Sequence, residues 1–109
     1  MFEIYKDNSG EFRFRLKASN GEPILASEGY TTKSACENGI ASVAKNSQDE
    51  NRFELKEAKN GKWHFNLKAT NGQIIGTSQM YSSESGAKNG MKSVAKNAKA
   101  GKIKDLTEE

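Results

Sequence analysis

Few residues in this sequence have the chemistry for a reactive site. The chain holds one histidine, His64, and one cysteine, Cys36. Structural zinc sites need several such groups held together, and a triad needs its one histidine held against a nucleophile and an orienting carboxylate. One cysteine also excludes an internal disulfide. His64 lies on the polar side of the alternating run Trp63-His64-Phe65-Asn66-Leu67 and reads as a solvated side chain. Cys36 shares a helical stripe with Ile40, Val43 and Ala44 and reads as a small buried thiol, the unreactive kind. Acid–base catalysis needs groups within hydrogen-bond reach of one proton. Glu3 and Glu54 alternate with apolar residues and point outward, and they form no such pair. The five Asn-Gly dipeptides lack the spacing of a phosphate-binding loop. No enzyme activity, cofactor or metal is expected.

The chemistry that remains is charge. Lys88, Lys92, Lys96 and Lys99 recur at helical spacing and share one exposed stripe. Arg13, Arg15 and Lys17 lie on or beside the polar face of a strand. Such sets contact phosphates in polyanion-binding proteins; otherwise they are solvated faces. The net charge of +3 is unevenly spread. Residues 1–51 hold six basic and eight acidic residues, net −2, whereas residues 52–109 hold eleven and six, net +5. The expected function is a non-enzymatic module with weak, sequence-independent affinity for nucleic acid or another polyanion, with nucleic acid or an acidic protein as the expected partner. No aromatic platform for bases is expected, because the strand aromatics fall on the apolar face. The alternative is a protein-interaction or structural module whose charge serves solubility.

These residues are positioned by an internal repeat. Shifted by 51 residues, positions 2–46 align with 53–97 without a gap, and 20 of the 45 pairs are identical. Two copies are too few for a solenoid. They imply one domain over 1–109, made of repeats 1–50 and 51–109 that share a core. In each copy Phe2, Ile4 or Phe53, Leu55 open a strand by period-2 alternation. A second strand follows, with Phe12, Phe14, Leu16 or Trp63, Phe65, Leu67 on the buried side. Asn20-Gly21 and Asn71-Gly72 predict tight hairpins with positive φ at both turn positions. Thr31-Thr32 and Ser82-Ser83 are helix N-caps, and Ser34 with Glu37 has capping-box spacing. Helices should end near Asn46 and Asn97, and Lys102–Leu106 can supply a closing strand.

The expected architecture is α+β: tandem βββα units sharing one largely antiparallel sheet, with two helices on one face. Phe12, Phe14, Trp63 and Phe65 would lie beneath the helices, with Trp63 largely buried. Both helices carry an identical small, polar flank: Asn38, Gly39, Ser42, Asn46 and Asn89, Gly90, Ser93, Asn97. A glycine inside a helix costs about 1 kcal/mol relative to alanine, so close approach by something is implied. The expected neighbour is the other helix. Internal pseudo-two-fold symmetry predicts a monomer.

Of the 109 residues, 34% are hydrophobic and 28% charged. No run approaches the ~20 apolar residues of a membrane helix, so no membrane association is expected. The opening Met1-Phe2-Glu3-Ile4-Tyr5-Lys6-Asp7 has no apolar stretch of a secretory signal, which predicts a cytoplasmic location.

The aromatic-x-Phe-x-Leu-Lys-Ala-x-Asn-Gly pattern at 12–21 and 63–72 resembles the YegP-like family of small bacterial proteins. The match continues through Ser27 with Tyr30, Ser78 with Tyr81, and both Ser-Val-Ala-Lys-Asn helix ends. The resemblance implies β3-α-β units joined in a single sheet, by tandem duplication or by dimerisation with exchange of the last strand. The family is of unknown function, so it supplies no catalytic or binding residues.

Overall fold

Each repeat folds into three strands and a helix at positions 51 residues apart, and one further strand closes the chain. The computed structural model describes residues 1–107. The first repeat contributes β1 (Phe2–Lys6), β2 (Phe12–Lys17), β3 (Pro23–Ala26) and α1 (Lys33–Asn46). A single 3₁₀ turn, Glu50–Arg52, leads into the second: β4 (Phe53–Glu57), β5 (Trp63–Lys68), β6 (Ile74–Thr77) and α2 (Glu84–Ala100). β7 (Ile103–Asp105) follows. All seven strands form one sheet in the order β4-β5-β6-β3-β2-β1-β7. Every pairing is antiparallel except β1 with β7, which is parallel. Both helices pack on the apolar face, as the duplicated change of period predicts.

The hairpins differ from expectation in one detail. Asn20 and Asn71 keep negative φ, and only the glycines turn left-handed, Gly21 at 86° and Gly72 at 85°. The Gly21 N–H donates to the Ala18 C=O, and the Ala18 N–H donates to the Glu22 C=O. This is a type I turn followed by a glycine bulge, the three-residue solution to the same bend. At the helix starts Thr32 and Ser83 are the N-caps, accepting from the Ala35 and Gly86 N–H groups. The Ser34–Glu37 spacing is therefore not used as a capping box. α2 runs past Asn97 to Ala100, where Gly101 ends it in the left-handed conformation.

The core is continuous across the repeats. Phe14, Leu16, Phe65 and Leu67 are fully buried, with Val43 and Val94 of the helices above them. Phe12 and Trp63 are only half-buried, which corrects the expectation for Trp63. Both sit at strand starts, bridged to Tyr30 and Tyr81 at the edge of the helix layer. The repeats meet where Ala26 of β3 pairs with Thr77 of β6. These two are repeat mates, so the pseudo-two-fold axis passes between them. Beside it, Leu25 packs on its own repeat mate, Gly76. A Cβ on that glycine would lie 2.7 Å from Leu25 Cδ2.

β7 is tied down partly by charge. Asp105 meets Lys33 Nζ at 2.7 Å and accepts from the Thr107 N–H at 2.8 Å. Lys33 and then Thr107 hold the Asp105 carboxyl down at about 2, from an ordinary 3.8. A depressed carboxylate contributes stability above its unfolded pKa and loses it as pH falls through the folded one. Glu3 is lowered likewise by Arg15, and Asp7 by Ser9 and Arg13. The amides of Lys104 and Leu106, which face β1, should therefore lose hydrogen-exchange protection between about pH 4 and pH 2, before those of β2 and β5. Asp105→Asn should weaken their protection already at neutral pH; unchanged protection in both experiments would contradict this account.

Candidate functional site

The cations singled out from sequence fall into two groups with different surroundings. Those of the outer sheet face are engaged by neighbouring carboxylates. Arg13 Nε lies 2.6 Å from Asp7 Oδ2. Arg15 Nε and Lys17 Nζ both reach Glu3 Oε1, at 2.8 and 3.2 Å. Arg15 also stacks over the Tyr5 ring, 4.4 Å from its centre. In the second repeat Lys68 and Lys56 share Glu54. This face is a lattice of ion pairs, with little free positive charge to offer a partner.

The lysines of α2 are different. Lys88 pairs with Glu84 at 3.0 Å. Lys92, Lys96 and Lys99 are exposed and make no ion pair among the described residues. Lys88 and Lys92 also wall a groove of about 630 Å³ between α2 and β4. Its floor is apolar: Phe53, Leu55, Met91 and Ala95. Ser47, Gln48 and the acidic Glu50 complete its lining, and Gln48 Nε2 donates to the Ala95 C=O at 2.9 Å, linking the two helix regions.

The repeated helix flank has another explanation than the expected one. The close approach at Gly39 and Gly90 is made by a tyrosine of the same repeat, not by the other helix. A Cβ on Gly39 would lie 2.5 Å from Tyr30 Oη and 3.0 Å from Phe14 Cε2. One on Gly90 would overlap the Tyr81 hydroxyl and lie 2.6 Å from Tyr81 Cζ. Asn46 and Asn97 donate to the Ser42 and Ser93 C=O groups, each at 2.8 Å, and so serve their own helices. Asn38 and Asn89 are exposed. Gly90→Ala should therefore cost about 1–3 kcal/mol by overpacking, despite the roughly 1 kcal/mol that alanine contributes to a helix. In a Tyr81→Ala background the added methyl should cost nothing, and denaturant titration of the four proteins checks this coupling.

Neither reactive candidate changes the picture. Cys36 is buried, and burial pushes its thiol up to about 11. His64 is half-buried on the outer face rather than solvated as expected, and its shielded Nδ1 has no partner among the described residues. Among those residues no three His, Cys, Asp or Glu side chains gather as a metal site. Sequence reasoning gave Ser27 and Ser78 no structural role. Each hydroxyl accepts from a core backbone N–H, Phe14 or Phe65, at 2.9 Å, and donates to the next residue's C=O. Their identical placement in both repeats was the available signal.

A domain of unknown function, DUF1508, matches the chain twice, over residues 7–54 and 58–105. The chain belongs to the DUF1508 family. The two matches are offset by 51 residues, the same shift that aligns the repeats. Full-length DUF1508 relatives agree. The UPF0339 protein YegP of Escherichia coli K12 is 53% identical over 106 residues, 97% of this chain and 96% of that one. A UPF0339 protein of Shewanella oneidensis is 57% identical with the same coverage. Solution NMR structures show the shared fold. One from Shewanella oneidensis superimposes with a TM-score of 0.91 at 56% identity, covering 96% of this chain and 89% of that one. That of Escherichia coli YegP gives 0.93 at 52%, covering 99% and 93%. The YegP-like resemblance is thus borne out, and with it the tandem, single-sheet DUF1508 architecture. No helix among the described residues is long and apolar enough to cross a membrane.

Proposed function

We propose that the protein is a non-enzymatic interaction module that receives an acidic protein segment on the α2 side. The observation that carries this reading is the groove with lysines on its wall and Phe53, Leu55 and Met91 on its floor. Phosphates need cations but no apolar floor, whereas a peptide uses both. The sheet-face set Arg13, Arg15 and Lys17 supports a polyanion role poorly, because Asp7 and Glu3 already hold those cations. Nucleic acid is the competing partner and makes a different prediction. Three unpaired lysines on duplex phosphates would give a slope of log affinity against log salt of about −2.7, from about −0.9 per contact.

Fluorescence anisotropy with a labelled peptide of alternating glutamate and leucine, and with a labelled DNA duplex, separates the two. The expected result is peptide binding that Lys92→Gln, Lys96→Gln and Lys99→Gln together weaken, with little duplex binding at about 150 mM salt. Arg13→Gln should leave peptide binding unchanged. Duplex binding with the steep slope and no peptide binding would replace this reading with the nucleic-acid one.

A further inference from the structure

The first copy has no closing strand of its own, and the edge that such a strand would cover, β4 of the second copy, is left open among the described residues. A DUF1508 unit ends on its closing strand, at residue 105 in the second copy and residue 54 in the first. In the second copy that strand is β7, laid parallel on β1 with Phe2 opposite Ile103 and Ile4 opposite Asp105. The Phe2 N–H donates to the Lys102 C=O at 2.8 Å, and the Leu106 N–H donates to the Ile4 C=O at 2.9 Å. In the first copy the equivalent residues, 52–54, run straight into β4. They open the next repeat and cannot also close their own. Among the described residues β4 therefore ends the sheet, with no strand on its outer side.

The consequence is visible residue by residue. Phe2 and Ile4, paired with β7, are 0% and 1% exposed, and Ile40 of α1 is 3% exposed. Their repeat mates Phe53, Leu55 and Met91 stay partly exposed and form the groove floor. The register of β4 on β5 matches that of β1 on β2, so the backbone groups of Leu55 face the free edge as those of Ile4 face β7. The Phe53 N–H is already turned back to the Glu50 C=O, which stands where Lys102 stands in the other repeat. The open run thus begins at the Phe53 C=O.

The charges also differ between the two edges. At the filled edge Asp105 answers Lys33, whose repeat mate at the open edge is Glu84, itself held by Lys88. At the open edge the mates of Glu37 and Ala41 are Lys88 and Lys92, both on the groove wall. Resting on the interaction-module reading, we infer that β4 accepts an extended acidic segment of a partner protein as an eighth strand, parallel to β4. Its helix-side residues are apolar against Phe53 and Leu55, and a carboxylate of it meets Lys92, which makes no ion pair among the described residues. Backbone bonds to Leu55 fix register, and the groove reads alternate side chains.

The probe is a synthetic peptide with the sequence of residues 101–109, Gly-Lys-Ile-Lys-Asp-Leu-Thr-Glu-Glu, titrated into the ¹⁵N-labelled full chain to about 1 mM. This segment already forms the corresponding parallel pairing on β1. Amide shifts should appear over Phe53–Glu57 and at Met91, with slowed exchange of the Leu55 N–H and no change over Phe2–Lys6. Lys92→Glu should weaken binding about tenfold. Leu55→Pro, which removes an edge donor without touching the bonds to β5, should abolish it; N-methylation of alternate peptide residues repeats that test without altering the protein. Shifts confined to α2, insensitive to Leu55→Pro and to N-methylation, would overturn strand addition and leave the acidic-partner reading standing. No binding of this peptide or of the glutamate–leucine peptide would sink both. Shifts over Phe2–Lys6 would mean displacement of β7 instead. A full chain that sediments as a dimer, with its β4 amides protected before any peptide is added, would assign the edge to a second copy.

Discussion

A fragment of residues 1–50 is expected to give no folded monomer. Its core is not its own. Leu25 packs on Gly76 of the other repeat. α1 lies against β5 and β6 as well as β2, and α2 lies against β2 and β3. The fragment would also lose β7, leaving Phe2 and Ile4 on an open edge. A chain of about 60 residues buries only about 60% of its unfolded surface, and this one would expose part of that at two edges. Circular dichroism should show a largely unfolded fragment, or sedimentation a dimer that restores the shared sheet. The full chain should sediment as a monomer. A folded, monomeric fragment would contradict the shared core.

Phe65→Ala is expected to cost about 3–5 kcal/mol, a large part of the 5–15 kcal/mol typical of a domain. The ring is fully buried. It meets Phe53 edge-on at 5.4 Å and stacks on Tyr81 at 6.2 Å. It also lies beneath Gly90, so its loss would remove support from β4, α2 and the tyrosine together. Trp63→Ala should cost less, because that larger ring is only half-buried. Denaturant midpoints of the two variants decide the order. A greater loss for Trp63→Ala would place the centre of the core toward the strand ends.

The elements were legible because the chain states each of them twice. Alternation in Phe12–Ala18 recurs in Trp63–Ala69, and the N-cap threonines recur as serines, so each assignment is checked by its copy. Burial was legible only where alternation runs the length of a strand. Trp63 has the right parity but the wrong position along β5. β7 has three residues, too few to show a period or a direction, and its parallel pairing follows from the topology alone. The sheet-face cations were counted one by one, whereas register sets Glu3 opposite Arg15 and makes them a pair. The glycine flank signalled close approach correctly, but a helix wheel does not reveal that the approaching group is a tyrosine from the loop before the helix. The open edge follows from a fact in the sequence: residues 52–54 run straight into the second repeat, with no separate closing strand for the first. Its meaning needed the filled edge for comparison.

The pairing of Leu25 with Gly76 bears on the history of the chain. At a symmetry axis a homodimer must set each residue against itself, so a large side chain there meets its own image. Fusing two copies into one chain lifts that restriction. Here one copy carries the bulk and the other leaves the space for it. The halves are no longer interchangeable: two first repeats would set leucine on leucine, and two second repeats would leave a hole. Such a lock works in one direction. Once bulk and void have been divided between the copies, neither can return to life as half of a symmetric dimer without first undoing the change.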